Sequence, residues 1–516
     1  MPLENLPSEL YSTILDTLPA PELQKVTLAL TRAIPRAPVP LHHLFTDIRL
    51  QSSKRIIQLH RRLRDSDTKD SQWVKTLSIE AWDADPHVAI NLLDILQDLE
   101  SLTVYIGPTF APEHLSDMFL DARPHVRYLS LRFRPYVQRA TYYQFLKGAY
   151  FDSALSCLSK WPNSTLRSLS VIQDPLDESA TRNNRFAQPL VFFSLEPFTA
   201  LAGASCVARI TSLRVRVPSR NISPFICAPL HPFPGLELLD MSTCNVKAAD
   251  VETLLASFTK LRHIILDGCS LLRGESRDGE WHSLGKAFAL AGVRRAKDKE
   301  RKIKEWLSSL ATDERIVGRG VEAQNQAEIL PFEPALRNPR RGRKGVANST
   351  ISLRASRIRP MTQPASSDIP VPTTSPEAMN SKTKIRVLPP WPSLRSFSTT
   401  VLAHALAHPQ MQAEFSSGWA AGISQLAATY ARLRTSRANG VRVLRFTDHG
   451  TTQNELAVLH DLTDADDILS VSGGHDNMPT KYPGPVLCFG GPSRDCAHVE
   501  NCGHVAAFAI WDDAIN

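Results

Sequence analysis

A chain of 516 residues, 42% hydrophobic and 22% charged, has the apolar content for a large core and the length for two to four domains. The net charge of +7 comes largely from residues 294–304 and 337–344, so composition does not point to a nucleic-acid-binding face along the whole molecule. Eight scattered cysteines are unlike a secreted disulfide scaffold, residues 1–4 lack a secretory signal, and no apolar run approaches the ~18 residues that cross a bilayer, so a cytoplasmic or nuclear setting and no membrane are expected.

Leu10, Ile14, Leu15 and Leu18 follow one another at the spacing of a single apolar helical stripe. Pro19 ends that helix, and Pro21 suits the first turn of the next, where its missing N–H is no loss. So few residues cannot enclose a core, and the apolar side chains left over await a partner. On Leu6-Pro7-x-Glu9-Leu10, Ile14-Leu15, Leu18, Glu22-Leu23 and Leu44-Phe45 followed by Ile48, residues 4–50 resemble an F-box. The third helix departs from the family pattern, reading Leu30-Thr31-Arg32-Ala33-Ile34-Pro35 with further prolines at 38 and 40. The resemblance implies that Leu6, Pro7, Leu10, Ile14 and Leu18 dock on a Skp-type adaptor and, through it, a cullin scaffold. The alternative is a pair of cap helices that bury the same residues against residues 74–79.

Further along, the pattern apolar-x-x-apolar-x-apolar recurs from Val74, Leu99, Val126, Leu166, Ile210, Leu236 and Leu261, at offsets of 25, 27, 40, 44, 26 and 25 residues. Repeats of ~20–29 residues with this pattern are the signature of a leucine-rich solenoid. Helical stretches are expected between the strands, at 89–99, 113–123, 151–158 and 249–258. Cys244 and Cys269 each follow the first apolar residue of their unit by eight positions, which resembles the cysteine-containing repeat that often accompanies an F-box. They are assigned to packing, and an ordinary α/β domain mimicking the pattern stays open.

Residues 281–310 read as a charged helix. From 329 to 390 the chain is rich in Pro, Ser, Thr and Arg, a composition that cannot repay its ordering entropy. The run 340–344 reads as a nuclear-import patch or a solvated basic linker. Trp391-Pro392-Ser393-Leu394 repeats the spacing of Phe233-Pro234-Gly235-Leu236, so the solenoid is expected to resume there. A long helix across 400–434 and one more strand, Val441-x-x-Leu444-x-Phe446, complete the reading.

The expected fold is therefore α/β: a short N-terminal helical F-box-like bundle (4–50), an irregular leucine-rich-repeat solenoid (70–272), a charged helical segment (273–328) and a disordered insertion (329–390), followed by the end of the solenoid or a small α/β cap (391–516). Side chains between the buried ones on each strand would line a concave groove. Tyr128, Arg132, Arg134, Arg214 and Arg216 gather near its middle, the two arginine pairs roughly 10 Å apart at ~4.8 Å per strand step. Arginine forks bind carboxylates and phosphates bidentately, so an acidic or phosphorylated segment of a protein target is the natural ligand. Equally, these arginines are ordinary exposed strand residues paired with neighbouring acids.

Cys496-x-His498-x-x-x-Cys502-x-His504 contains zinc-ligand types, but its spacing matches no common finger, and a Gly/Asn-rich loop is the preferred reading. A hydrolase pairing Cys488 or Cys496 with His475 lacks a third group to hold the base, and no phosphate-cradling or dinucleotide turn appears. No catalytic residue, cofactor or metal is expected. The functional expectation is the substrate-recognition subunit of a Skp/cullin/F-box ubiquitin ligase, gripping its target in the groove; the alternative is a leucine-rich interaction scaffold without ligase coupling.

Overall fold

Each short apolar segment forms a strand, and the strands lie side by side in the order in which the chain makes them. The computed structural model describes residues 6–65, 70–107, 109–134, 150–162, 165–174, 195–229, 232–269, 279–324, 384–400, 408–446, 459–462 and 483–511. Its strands are β1 (Asp47–Leu50), β2 (Thr76–Ile79), β3 (Ser101–Ile106), β4 (Tyr128–Phe133), β5 (Ser168–Gln173), β6 (Ser212–Arg216), β7 (Leu238–Asp240), β8 (His263–Ile265), β9 (Ile385–Val387), β10 (Ser396–Ser398), β11 (Arg442–Phe446), β12 (Leu459–Asp461) and β13 (Val486–Cys488). Ten of them form one parallel sheet in the order β1-β2-β3-β4-β5-β6-β7-β8-β10-β13; the other three form a sheet in the order β12-β11-β9.

Register explains why the leucines recur. One residue per strand stands opposite its neighbour along a continuous row: Ile48, Leu77, Leu102, Leu129, Leu169, Leu213, Leu239, Ile264, Phe397 and Leu487. All of these except the partly buried Ile48 are fully enclosed in one core. Parallel neighbours need a crossover, and helices supply it. Pro86–Ile95 starts where Asp85 accepts hydrogen bonds from the His87 and Val88 backbone N–H groups, with Pro86 in its first turn. The crossover helices Ser53–Asp65, Pro86–Ile95, Pro112–Met118, Tyr150–Leu158, Glu196–Ala202, Ser223–Cys227 and Ala248–Ser257 each pack on the next.

The expected solenoid and N-terminal bundle are both corrected. A solenoid reading leaves one sheet face as an open groove, but the row between the leucines is buried as well: Ser78, Thr103, Ser130, Ser170, Arg214, Asp240, Ile265, Ser398 and Cys488. What forms is an α/β fold around a ten-stranded parallel sheet, and such sheets are normally covered on both faces. On the β7–β8–β10 side the cover includes the helix Gly503–Ile510 and Trp511, which pack with Leu238 and Ile265. At the amino end, the helices Ser8–Asp16 and Ala20–Ala33 enclose only a small cluster around Tyr11, Leu15 and Val39. The rest of the supposed module, from His42–Phe45 into β1, gives Phe45 and Leu50 to the main core, so residues 4–50 do not close on themselves as a bundle.

The chain divides into two compact units, residues 1–298 with 386–516, and residues 299–385. The charged helix is Glu280–Gln324. Most of the expected disordered insertion, the basic run 340–344 and His475 lie outside the described residues. Among the described residues, no helix is long and apolar enough to cross a membrane.

Candidate functional site

Three places carry the functional expectations. The first is the Ser8–Asp16 helix. Tyr11 and Leu15 face inward, while Leu10 and Ile14, one turn apart, are 47% and 52% exposed. Pro7 is the exposed residue that starts the helix, and Leu6 and Leu18 are half-buried against the Tyr11 cluster. The Ala20–Ala33 helix is tied to the main sheet where the Gln24 amide donates to the Asp47 carbonyl of β1. Val74, Leu77 and Ile79 belong to the main core, separate from the Tyr11 cluster, so Leu10 and Ile14 are not consumed as a cap there.

The second place is the arginine row, which the structure does not assemble as one open cluster. Arg214 is 2% exposed and stands opposite Asp240 in the ladder, donating from Nε to its carboxylate at 3.1 Å. Arg216 donates to the same oxygen from Nη2 at 2.7 Å, while Ser242 binds the other oxygen through its N–H and hydroxyl. Burial alone pushes the Asp240 carboxyl up, but Arg216, Arg214 and Ser242 hold it well below the usual carboxylate range. Trp511 covers the Arg214 guanidinium at 4.1 Å, so Arg214 is not open to a ligand. Tyr128 is half-buried against the Leu238–Trp511 cluster. Arg132 and Arg134 are half-buried on an aromatic step: Arg132 lies over Tyr105 and donates to Asp174 at 2.6 Å, and Arg134 lies over Trp82 at 4.4 Å. Trp82 and Tyr105 are themselves 4.8 Å apart.

The third place is the stretch expected as a Gly/Asn-rich loop, where His498, Cys502 and His504 stand with Cys488 and not with Cys496. Cys488 ends β13, His498 sits in the loop that follows, and Cys502 and His504 open the Gly503–Ile510 helix. Their donor atoms all lie within 4.8 Å of one another, and they are the residues able to hold a metal among the described ones. Cys502 is extended (φ −70°, ψ 166°) just before the helix begins, and this change of backbone direction lets two alternate residues aim at one point. Gly503, between them, could not carry a side chain without crowding Ile265 and the Ser398 hydroxyl, each 3.0 Å from where a Cβ would stand. Cys496 is not a member; its place is taken by Cys488, ten residues before His498.

Each imidazole in this cluster is held by its far nitrogen. His504 Nε2 lies 2.8 Å from Asp267 Oδ2 and His498 Nε2 2.8 Å from the Ser493 carbonyl. The His498 Nδ1 faces the Cys488 sulfur at 3.8 Å, and the buried His504 side chain also interacts with that sulfur. Burial pushes the Cys488 thiol up, yet hydrogen bonds from its neighbours bring it down to about 6; burial lowers His504, yet Asp267 and Cys488 raise it to about 9. The repeat cysteines behave in the opposite way. Cys244 and Cys269 donate weakly to the Val215 and Met241 carbonyls inside the core, and burial drives both thiols upward, Cys244 to about 12.

No protein-family description matches the chain, and no curated protein matches it. Sequence spacing could not have found the Cys/His cluster, because it gathers from a strand end, a loop and a helix start. The one signal present was the density of ligand types between 488 and 504.

Proposed function

We propose that the chain is a substrate-recognition subunit of a Skp/cullin-type ubiquitin ligase, docking its adaptor through the first helix. The observation that supports this reading is the outward face of Ser8–Asp16, where Leu10 and Ile14 stand about half exposed although their helix has an inner cluster available to it. Large apolar side chains kept outside on consecutive turns favour a partner surface over a cap. The F-box resemblance of Leu6, Pro7, Leu10, Ile14 and Leu18 names the kind of partner. Target recognition falls to Arg132 and Arg134 with Trp82 and Tyr105, since Arg214 and Arg216 are engaged with Asp240. An acidic or phosphorylated segment would displace Asp174 from Arg132. Catalysis would belong to other subunits, and this chain would supply proximity.

The test is co-purification of the full chain with a Skp-type adaptor. Leu10→Asp with Ile14→Asp removes the adaptor while leaving thermal unfolding within a few degrees of wild type, because both positions are solvent-facing. Equal recovery of the adaptor with wild type and double variant overturns the proposal.

A further inference from the structure

We propose that Cys488, His498, Cys502 and His504 bind one zinc ion as a closed structural centre that fastens the C-terminal segment to the sheet. Two thiols and two imidazoles are the soft and borderline donors that select zinc in tetrahedral geometry. In such a site neighbouring donor atoms are about 3.5 Å apart, given metal distances of about 2.3 Å to sulfur and 2.0 Å to nitrogen. The donors here lie within 4.8 Å of one another, with Cys488 Sγ and His498 Nδ1 already at 3.8 Å, so closing onto an ion requires only small side-chain movements.

The orientation of the rings is the second argument. A metal-bound histidine normally donates its other ring N–H to a carboxylate or a carbonyl, which fixes the tautomer and aims the free nitrogen. Both arrangements are present: Asp267 Oδ2 beside His504 Nε2, and the Ser493 carbonyl beside His498 Nε2. Each leaves Nδ1 directed at the sulfurs. The His504 ring, 2% exposed, therefore turns its Nδ1 among the donor atoms of the cluster, away from solvent.

Four protein ligands leave no open position for water, so the centre is structural and not hydrolytic. On binding Zn2+ every proton still held on the two sulfurs or on the two coordinating ring nitrogens is released to solvent, leaving two thiolates and two neutral imidazoles on the ion, so no oxidant or reductant is involved. The consequence for the fold is specific. Cys488 belongs to the last strand of the sheet, Asp267 lies two residues past β8, and Cys502 and His504 begin the helix that Trp511 follows. The ion would hold these three pieces together and keep Trp511 seated over Arg214.

The experiment is elemental analysis of the full-length chain, purified without a histidine tag from zinc-containing medium and dialysed. Wild type and Cys496→Ser carry one zinc per chain, while Cys488→Ser and His504→Ala fall below one tenth. X-ray absorption at the zinc edge of the wild-type chain, which does not depend on any variant folding, shows two sulfur and two nitrogen neighbours at about 2.3 and 2.0 Å. Wild-type chain with less than one tenth of an equivalent, a Cys488–Cys502 disulfide found by mass spectrometry, or equal zinc in Cys488→Ser and wild type overturns the proposal.

Discussion

Trp511 lies over the guanidinium of Arg214, 4.1 Å from its carbon to the ring centroid, although nearly three hundred residues separate them in the chain. The contact seals a buried ion pair, because Asp240 beneath is fully enclosed and binds Arg214 and Arg216 through one oxygen. Removing one partner of such a pair strands a buried charge, so Asp240→Ala should cost about 3–5 kcal/mol in chemical denaturation. The cost also depends on pH. The folded Asp240 carboxyl titrates below its unfolded counterpart, which lies near ~3.9, so its contribution is complete above that pH and fades as pH falls toward the folded value. The difference between wild type and Asp240→Asn should narrow below about pH 4; a constant difference down to strong acid would show that Asp240 is not held ionised.

Trp511 supplies both ring area and a cation–π contact, and the two can be separated. Trp511→Ala should lose about 3–5 kcal/mol, the range for deleting a buried large aromatic. Trp511→Phe keeps a ring over Arg214 and should lose less than half as much. Equal losses in urea melts for Trp511→Phe and for Trp511→Leu, which fills much of the space without a ring, would mean that filling the space, and not the ring face, is what matters.

Strand positions were legible because each has a local cause. Leu77 and Ile79 are two apart since they point to the same side, and the same holds for Leu102 with Val104 and Leu169 with Val171. The strand at Val441, Leu444 and Phe446 was also visible, though it joins the smaller sheet and not the main one. What spacing cannot show is what lies on the other face. Arg214 and Asp240 alternate with apolar residues as solvent-facing positions do, and only the fold reveals that each neutralises the other beneath Trp511. β1 was hidden for a similar reason: Phe45, Ile48 and Leu50 fit the end of a helical module as well as the start of a sheet. In the Cys/His cluster, ligand types were visible but partnership was not. Cys496 is nearer in sequence to His498, whereas Cys488 reaches it from the end of β13.

The helices Glu280–Gln324 and His408–Ala438 cross where glycines allow their backbones to meet. A Cβ at Gly418 would overlap the His282 carbonyl, and one at Gly285 would overlap that of Phe415. Glycine to alanine in an exposed helix interior normally stabilises by about 0.5–1 kcal/mol. Here the sign should reverse: Gly418→Ala should cost more than about 2 kcal/mol, because two backbones must separate and the packing of Phe288 on Phe415 loosens with them. A thermal melt of Gly418→Ala at or above the wild-type midpoint would show that the helices do not need this approach.

Thr243 bears backbone strain that a substitution can remove. Its φ is +67°, matching the +64° of Gly268 one unit later, and each residue immediately precedes a buried cysteine. The conformation is fixed from both sides, since the Thr243 N–H donates to the Asp267 carbonyl at 2.6 Å and its own carbonyl accepts from Ser219 at 3.0 Å. A β-branched residue in this left-handed region pays about 1–2 kcal/mol, whereas asparagine adopts it readily. The side chain is exposed, so replacing it sacrifices little packing. Thr243→Asn should therefore raise stability by about 1 kcal/mol, and Thr243→Gly by less, because glycine also gains freedom in the unfolded chain. If Thr243→Asn melts at or below the wild-type temperature, the two hydrogen bonds do not hold residue 243 in the left-handed conformation in solution.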